Sequence, residues 1–283
     1  MFCMAWSLIP TDVHNVAAFL LLGGLSALLI SAAKAGFGGT IGVLSFPIMV
    51  YACGGDTMLA AGTTLPLLIV TDLVALASWW GKWNWRAAAM MWPGSLVGIA
   101  AGAAALWGLR HMGGSQAEIK AGHDTANAAL MLIVGAISLV FVALQAVMAL
   151  LRRPLAFRPV WWQGTAAGSA AGLCSTLAHA AGPIGTMYLL PQQMPKGTYV
   201  ATTVLLFTVI NQVKLVPYIA LGLINPGTLG AGLVLLPAVI VGAAAGLKLH
   251  SRVDTKQFIA VVYVLLTLTG VHMTYTGLAT LLR

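Results

Sequence analysis

Acidic side chains are almost missing from this sequence: Asp and Glu together number 6 in 283 residues. All charged residues make up 7% of the chain, against about 25% in an ordinary soluble protein. A chain so poor in charge cannot coat a water-facing surface, and 60% of it is hydrophobic. That excludes a soluble globular fold and predicts an all-α integral membrane protein. Cysteine is scarce too. Cys3, Cys53 and Cys174 show no CxxC spacing, which excludes a zinc ribbon and a disulfide framework. His14, His111, His123, His179, His250 and His272 are widely spread, with no HExxH run. A membrane-embedded metal enzyme has no ligand set here, and no metal or cofactor is expected. There is no GxxxxGK[ST] run either, so nucleotide-driven pumping has no seat. Residues 1–15 hold no Lys or Arg. Without a basic n-region the first apolar run is expected to stay as a helix and not to be cleaved.

Basic residues are what charge there is. The formal net charge is +8, but it is scattered over short connections and forms no stripe, so nucleic acid is not the partner. In a membrane chain basic residues mark the cytoplasmic loops. Ten apolar segments can be read, near 13–33, 38–53, 58–80, 87–109, 125–151, 161–178, 182–194, 198–222, 227–248 and 257–281. With the N-terminus outside and all ten crossing, the inside receives Lys34, Lys82, Arg86, Arg152, Arg153, Arg158, Lys196, Lys248, Arg252 and Lys256. The outside receives Arg110, Lys120 and Arg283, and Lys214 stays within a segment. That satisfies the positive-inside rule, and the opposite orientation fails it. Trp79, Trp80, Trp83, Trp85, Trp161 and Trp162 flank these loops and read as interfacial anchors.

The sequence also contains the same unit twice. Ser31-Ala32-Ala33 precedes a Gly-rich break at Gly36, Gly38 and Gly39; Ser169-Ala170-Ala171 precedes a break from His179 to Gly185. Thr63-Thr64 opens a stretch carrying Asp72, and Thr202-Thr203 opens one carrying Asn211, each eight residues after the second threonine. Pro93, Gly98 and Gly102 are matched in spacing by Pro237, Gly242 and Gly246. The halves are 1–151 and 161–283, joined by a linker at 152–160. Five segments per half make the repeats inverted. The second and seventh segments are short of the roughly 20 residues of a full span. Each reads as broken or re-entrant; if re-entrant, eight full spans remain and Lys34 moves toward mid-membrane. Matching interruptions in a duplicated membrane unit point to a transport site at the repeat interface.

Ionisable groups inside a bilayer are costly and are functional candidates by default. Lys34 opens the run to Gly39, where glycines let the backbone turn and expose N–H groups. A helix starting after such a turn aims free N–H groups and a positive dipole end at the break, which suits an anion. The bland alternative is a Lys34 that snorkels to the surface. The second break offers Ser175, Thr176 and His179, with Pro183 placed to open a short helix. Neutral His179 can donate to a substrate oxygen, shuttle a proton, or simply bond a carbonyl. Asp72 is the one acidic residue inside a segment, and Lys214 shares a helix face with Asn211. Asp72 and Lys214 are expected to pair if their helices cross, as relay, gate or structural link; Lys214 can alternatively attract an anion directly. Thr63, Thr64, Thr202 and Thr203 either bond back to their own helices or complete an oxyanion shell. The Pro/Gly sets are packing devices, within one chain or between the chains of a homodimer.

The breaks at 31–39 and 177–183, Ala61-Gly62-Thr63-Thr64, the Trp-rich turn at 79–85, Ala201-Thr202-Thr203 and Asn211-Gln212-Val213-Lys214-Leu215 resemble the sulfite exporter TauE/SafE family. The resemblance covers roughly residues 16–280. It implies a bacterial inner-membrane transporter of small sulfur-containing anions such as sulfite or organosulfonates like sulfoacetate. A passive anion channel and an importer of the same anions remain as alternatives, because a fold does not set direction.

Overall fold

The computed structural model describes residues 15–39, 44–110, 116–151, 160–250 and 255–282, and every regular element among them is helical. Helix α1 (Val16–Phe37) starts at Asn15, whose side chain accepts the Ala18 N–H, and carries a π-helical turn at Phe19–Gly23. Helix α2 (Ser45–Ala52) is short, and α3 (Thr57–Ser78) starts where Asp56 accepts the Leu59 N–H at 2.9 Å. Asn84 caps α4 (Trp85–Ala89) in the same way, and α5 (Trp92–Arg110) follows. Then come α6 (Gln116–Leu151), α7 (Trp161–Ala178) and the short α8 (Gly182–Leu189). The chain ends in α9 (Lys196–Ala220), α10 (Pro226–Leu249) and α11 (Thr255–Leu281). A reciprocal Asn225–Thr228 capping box with Pro226 at the first position opens α10. The linker at 152–159 lies outside the described residues.

Six stretches of the described residues are long and apolar enough to cross a membrane, so this is a multi-pass membrane protein. The two short segments are different. Helices α2 and α8 have eight residues each and reach only about 12 Å, well under a bilayer core. Each folds back on the long helix before it. Ser26 Oγ donates to the Ser45 carbonyl at 2.7 Å, and Ala52 lies by Gly23, so α2 runs antiparallel to α1. Tyr188, near the end of α8, reaches Met90 Sδ at 3.3 Å and lies against Gly164, near the start of α7.

Apolar surface gives helices little reason to associate inside lipid, so close backbone packing has to do it. Gly242 and Gly246 of α10 sit on the backbone of Leu28 and Ala32 in α1. Gly94 and Gly98 of α5 sit on Thr165 and Ser169 in α7, and Gly168 and Gly172 return the contact to Met91 and Ser95. A Cβ at any of these glycines would overlap a partner backbone atom. Both Pro/Gly sets are therefore used within the chain, each against the first long helix of the other half.

The ends of α1 and α7 are built alike. Gly38 (φ 72°) and His179 (φ 50°) both adopt the left-handed conformation. Gly38 N–H bonds Lys34 O and Gly39 N–H bonds Ala33 O; His179 N–H bonds Ser175 O and Ala180 N–H bonds Cys174 O. In both ends the left-handed residue bonds four residues back and the next residue six back, a nested pair one residue wider than a Schellman cap. Aligned on the caps, Lys34 matches Ser175, three residues away from the match that the Ser-Ala-Ala runs give. The second break is also shorter than the sequence implies, since α8 already begins at Gly182 and takes Pro183 as its second residue.

Candidate functional site

The central helices α3 and α9 are the most enclosed of the six spanning stretches. They meet through polar groups. Asn211 Nδ2 donates to Asp72 Oδ2 at 2.7 Å, and the other carboxylate oxygen faces Lys34 Nζ from α1 at 2.5 Å. All three side chains are buried. Lys34 therefore does not snorkel to a surface, and Asp72 pairs with Lys34 where the sequence pointed to Lys214. The physical reason is reach: Asn211 stands opposite Asp72, and Lys214, almost a turn further on, turns toward α7.

Lys214 is fully buried and meets three acceptors. Its Nζ lies 2.9 Å from Ser175 O, 3.1 Å from Ser175 Oγ and 2.9 Å from His179 Nδ1. As an ammonium this amine has one N–H for each of the three. His179 Nδ1 then accepts, and Nε2–H donates to Ala61 O at 3.3 Å, which assigns the neutral imidazole. Ser175 Oγ accepts from Lys214 and keeps its own proton to donate. The rings of Phe46 and Tyr218 meet His179 edge-on at 5.0 and 6.0 Å, and Tyr218 Oη donates to Thr176 O at 2.7 Å. The imidazole is thus held from several sides.

Between these two clusters lies a cavity of about 30 Å³, room for two or three waters or a compact oxyanion head. Its polar lining is Lys34, Asn211, Ser175 and His179; Ile30, Leu68 and Phe207 supply apolar wall, and Gly39, Ala181 and Gly182 supply backbone. All of these residues are buried. The positive end of α8 opens at Gly182 on the wall. Lys34 Nζ is paired with Asp72 Oδ1 and has no other acceptor among the described residues. The site therefore offers an ammonium, a hydroxyl and an amide to a guest. Such a donor set suits an oxyanion and gives a metal cation nothing, and no cluster of metal-ligating residues occurs among the described residues. A larger cavity of about 280 Å³, between α6, α7 and α8, is lined by apolar side chains and Cys174, and cannot hold an ion.

The other sequence candidates are placed as follows. Gly39 lines the cavity, and Gly38 lies against Thr203. Gly36 packs on Gly246, and its carbonyl accepts from His250 Nδ1 at 2.5 Å. Thr64, Thr176, Thr202 and Thr203 donate to carbonyls of their own helices. Thr202 also accepts the Asn84 N–H at 2.9 Å. Thr63 Oγ1 is buried without a hydrogen-bond partner. Residues 40–43, where the first break continues, lie outside the described residues. The sequence reading missed Ile30, Leu68 and Phe207. A signal existed: each stands four residues, one helical turn, before Lys34, Asp72 and Asn211 respectively.

A family model described as "Sulfite exporter TauE/SafE" matches residues 20–273. The chain belongs to the TauE/SafE family. That match spans both short helices, both caps and all the cavity residues. The family is one of membrane transporters. No curated protein and no solved structure matches the chain.

Proposed function

We propose that this TauE/SafE protein is a secondary carrier that exports small sulfur-containing anions, sulfite or an organosulfonate, across the bacterial inner membrane. One observation carries the reading. Lys34 stands on the wall of a buried cavity with Asp72 as its one acceptor among the described residues, which leaves ammonium protons for a guest, and Lys214 stands behind the facing wall. Such cations inside a bilayer are costly unless function needs them. Lys34, Ser175 and Asn211 contact the anion, while Lys214 positions Ser175 and His179.

In this reading the halves are inverted repeats, with the N-terminus in the periplasm and the linker in the cytoplasm. Rocking of one half against the other about the α3–α9 contact opens the cavity to one side at a time. The inside-negative potential drives a singly charged anion outward by about 2.3 kcal/mol per 100 mV, so export needs no nucleotide. One chain supplies the whole site, so a homodimer is not required.

Proteoliposomes loaded with radiolabelled sulfite test this. The expected result is saturable flux that speeds up when unlabelled sulfite or an organosulfonate is present on the opposite side. Flux that neither saturates nor exchanges would mean a channel, and silence for all these anions would overturn the substrate class.

A further inference from the structure

We infer that the site accepts one net negative charge: it takes singly charged sulfur oxyanions, hydrogen sulfite or a sulfonate with an uncharged substituent, and rejects dianions such as sulfate and sulfoacetate. This rests on the anion-carrier reading above. The charge count follows from assigning each group the state that its contacts accommodate: Lys214 an ammonium donating to three acceptors, His179 a neutral imidazole accepting at Nδ1 and donating at Nε2, and Asp72 a carboxylate accepting from Asn211 and facing the Lys34 ammonium. Two cations and one carboxylate leave a single excess positive charge. The remaining charged groups among the described side chains, Asp56, Lys82, Arg86, Lys196 and Lys248, stand at helix ends or in turns and not on the cavity.

The first negative charge of a guest neutralises that excess. A second would stand unpaired among buried side chains, where charges interact far more strongly than in water. Cavity size alone does not make this choice, because methanesulfonate and sulfate are nearly isosteric, a methyl replacing one oxygen. The inference narrows the organosulfonates to those without a second anionic group, and it assigns Asp72 the role of setting the accepted charge.

The test is competition against radiolabelled sulfite binding to the purified full-length protein, with methanesulfonate and sulfate as competitors. Methanesulfonate is expected to compete at least about tenfold better than sulfate. Asp72→Asn raises the excess to two charges and is expected to move preference toward sulfate by about the same factor. The K34Q/D72N double variant restores one excess charge and is expected to prefer methanesulfonate again, at weaker overall affinity. Sulfate competing as well as methanesulfonate in the wild type would overturn the inference and leave the carrier reading standing. So would a folded Asp72→Asn or double variant whose preference fails to follow its charge. No sulfite binding to the wild type would overturn both.

Discussion

Asn211 donates to Asp72 at 2.7 Å, and the two residues hold the same place in the two halves of the chain, eight positions after Thr203 and Thr64. The contact joins α3 to α9 through buried polar groups, and in the proposed inverted-repeat arrangement such equivalent residues would meet near the axis that relates the halves. Around it the two halves differ. At the matched caps one side carries Lys34 and Gly38, the other Ser175 and His179. The outcome is a lopsided cavity, with an ion pair on one wall and a hydrogen-bonded ammonium behind the other.

Lys214→Ala is expected to weaken sulfite binding about tenfold while leaving the protein inserted. The ammonium does not line the cavity, but its removal leaves Ser175 Oγ, Ser175 O and His179 Nδ1 without their donor, at about 1–3 kcal/mol per buried group. Binding isotherms of the purified variant check this, and an unchanged affinity removes Lys214 from the account.

Gly98→Ala is expected to lower the melting temperature in detergent, and Gly108→Ala in the same helix is not. A Cβ at Gly98 would overlap the Ser169 carbonyl, whereas Gly108 has nothing within 4 Å. Overpacking of this kind costs about 1–3 kcal/mol. Equal melting of the two variants would mean that α5 and α7 are further apart than described.

The ending of α7 gives a conformational test. His179 holds φ 50°, a left-handed backbone that Asn tolerates and β-branched residues resist. Both His179→Asn and His179→Val lose the imidazole contacts, and His179→Val is expected to lose about 1–2 kcal/mol more than His179→Asn does. Comparable melting of both would show that the cap does not depend on this residue.

Much of this was legible in the sequence, for physical reasons. Apolar runs have to be helices in lipid, so the ten segments could be read, and the short second and seventh did become eight-residue helices. Ionisable residues in such runs are rare enough to stand out, which is how Lys34, Asp72, His179 and Lys214 were found. Their partners were not legible. Whether Asp72 meets Lys34 or Lys214 depends on helix rotation and depth, and a one-dimensional pattern carries neither. The threonines were left open between two readings for a similar reason. A hydroxyl four residues after a carbonyl in a helix can bond back to it, and Thr64, Thr176, Thr202 and Thr203 all do so. Equal spacing of Thr63 and Thr64 with Thr202 and Thr203 says nothing of which hydroxyls stay free.

The most direct test of the account is equilibrium binding of radiolabelled sulfite to the wild type and to K34Q/D72N. This variant removes the ion pair at the cavity wall without leaving a lone charge. The account expects saturable binding to the wild type and at least about tenfold weaker binding to the variant at unchanged melting temperature. Equal affinity in the two proteins would contradict it, because the anion would then be bound somewhere other than beside Lys34.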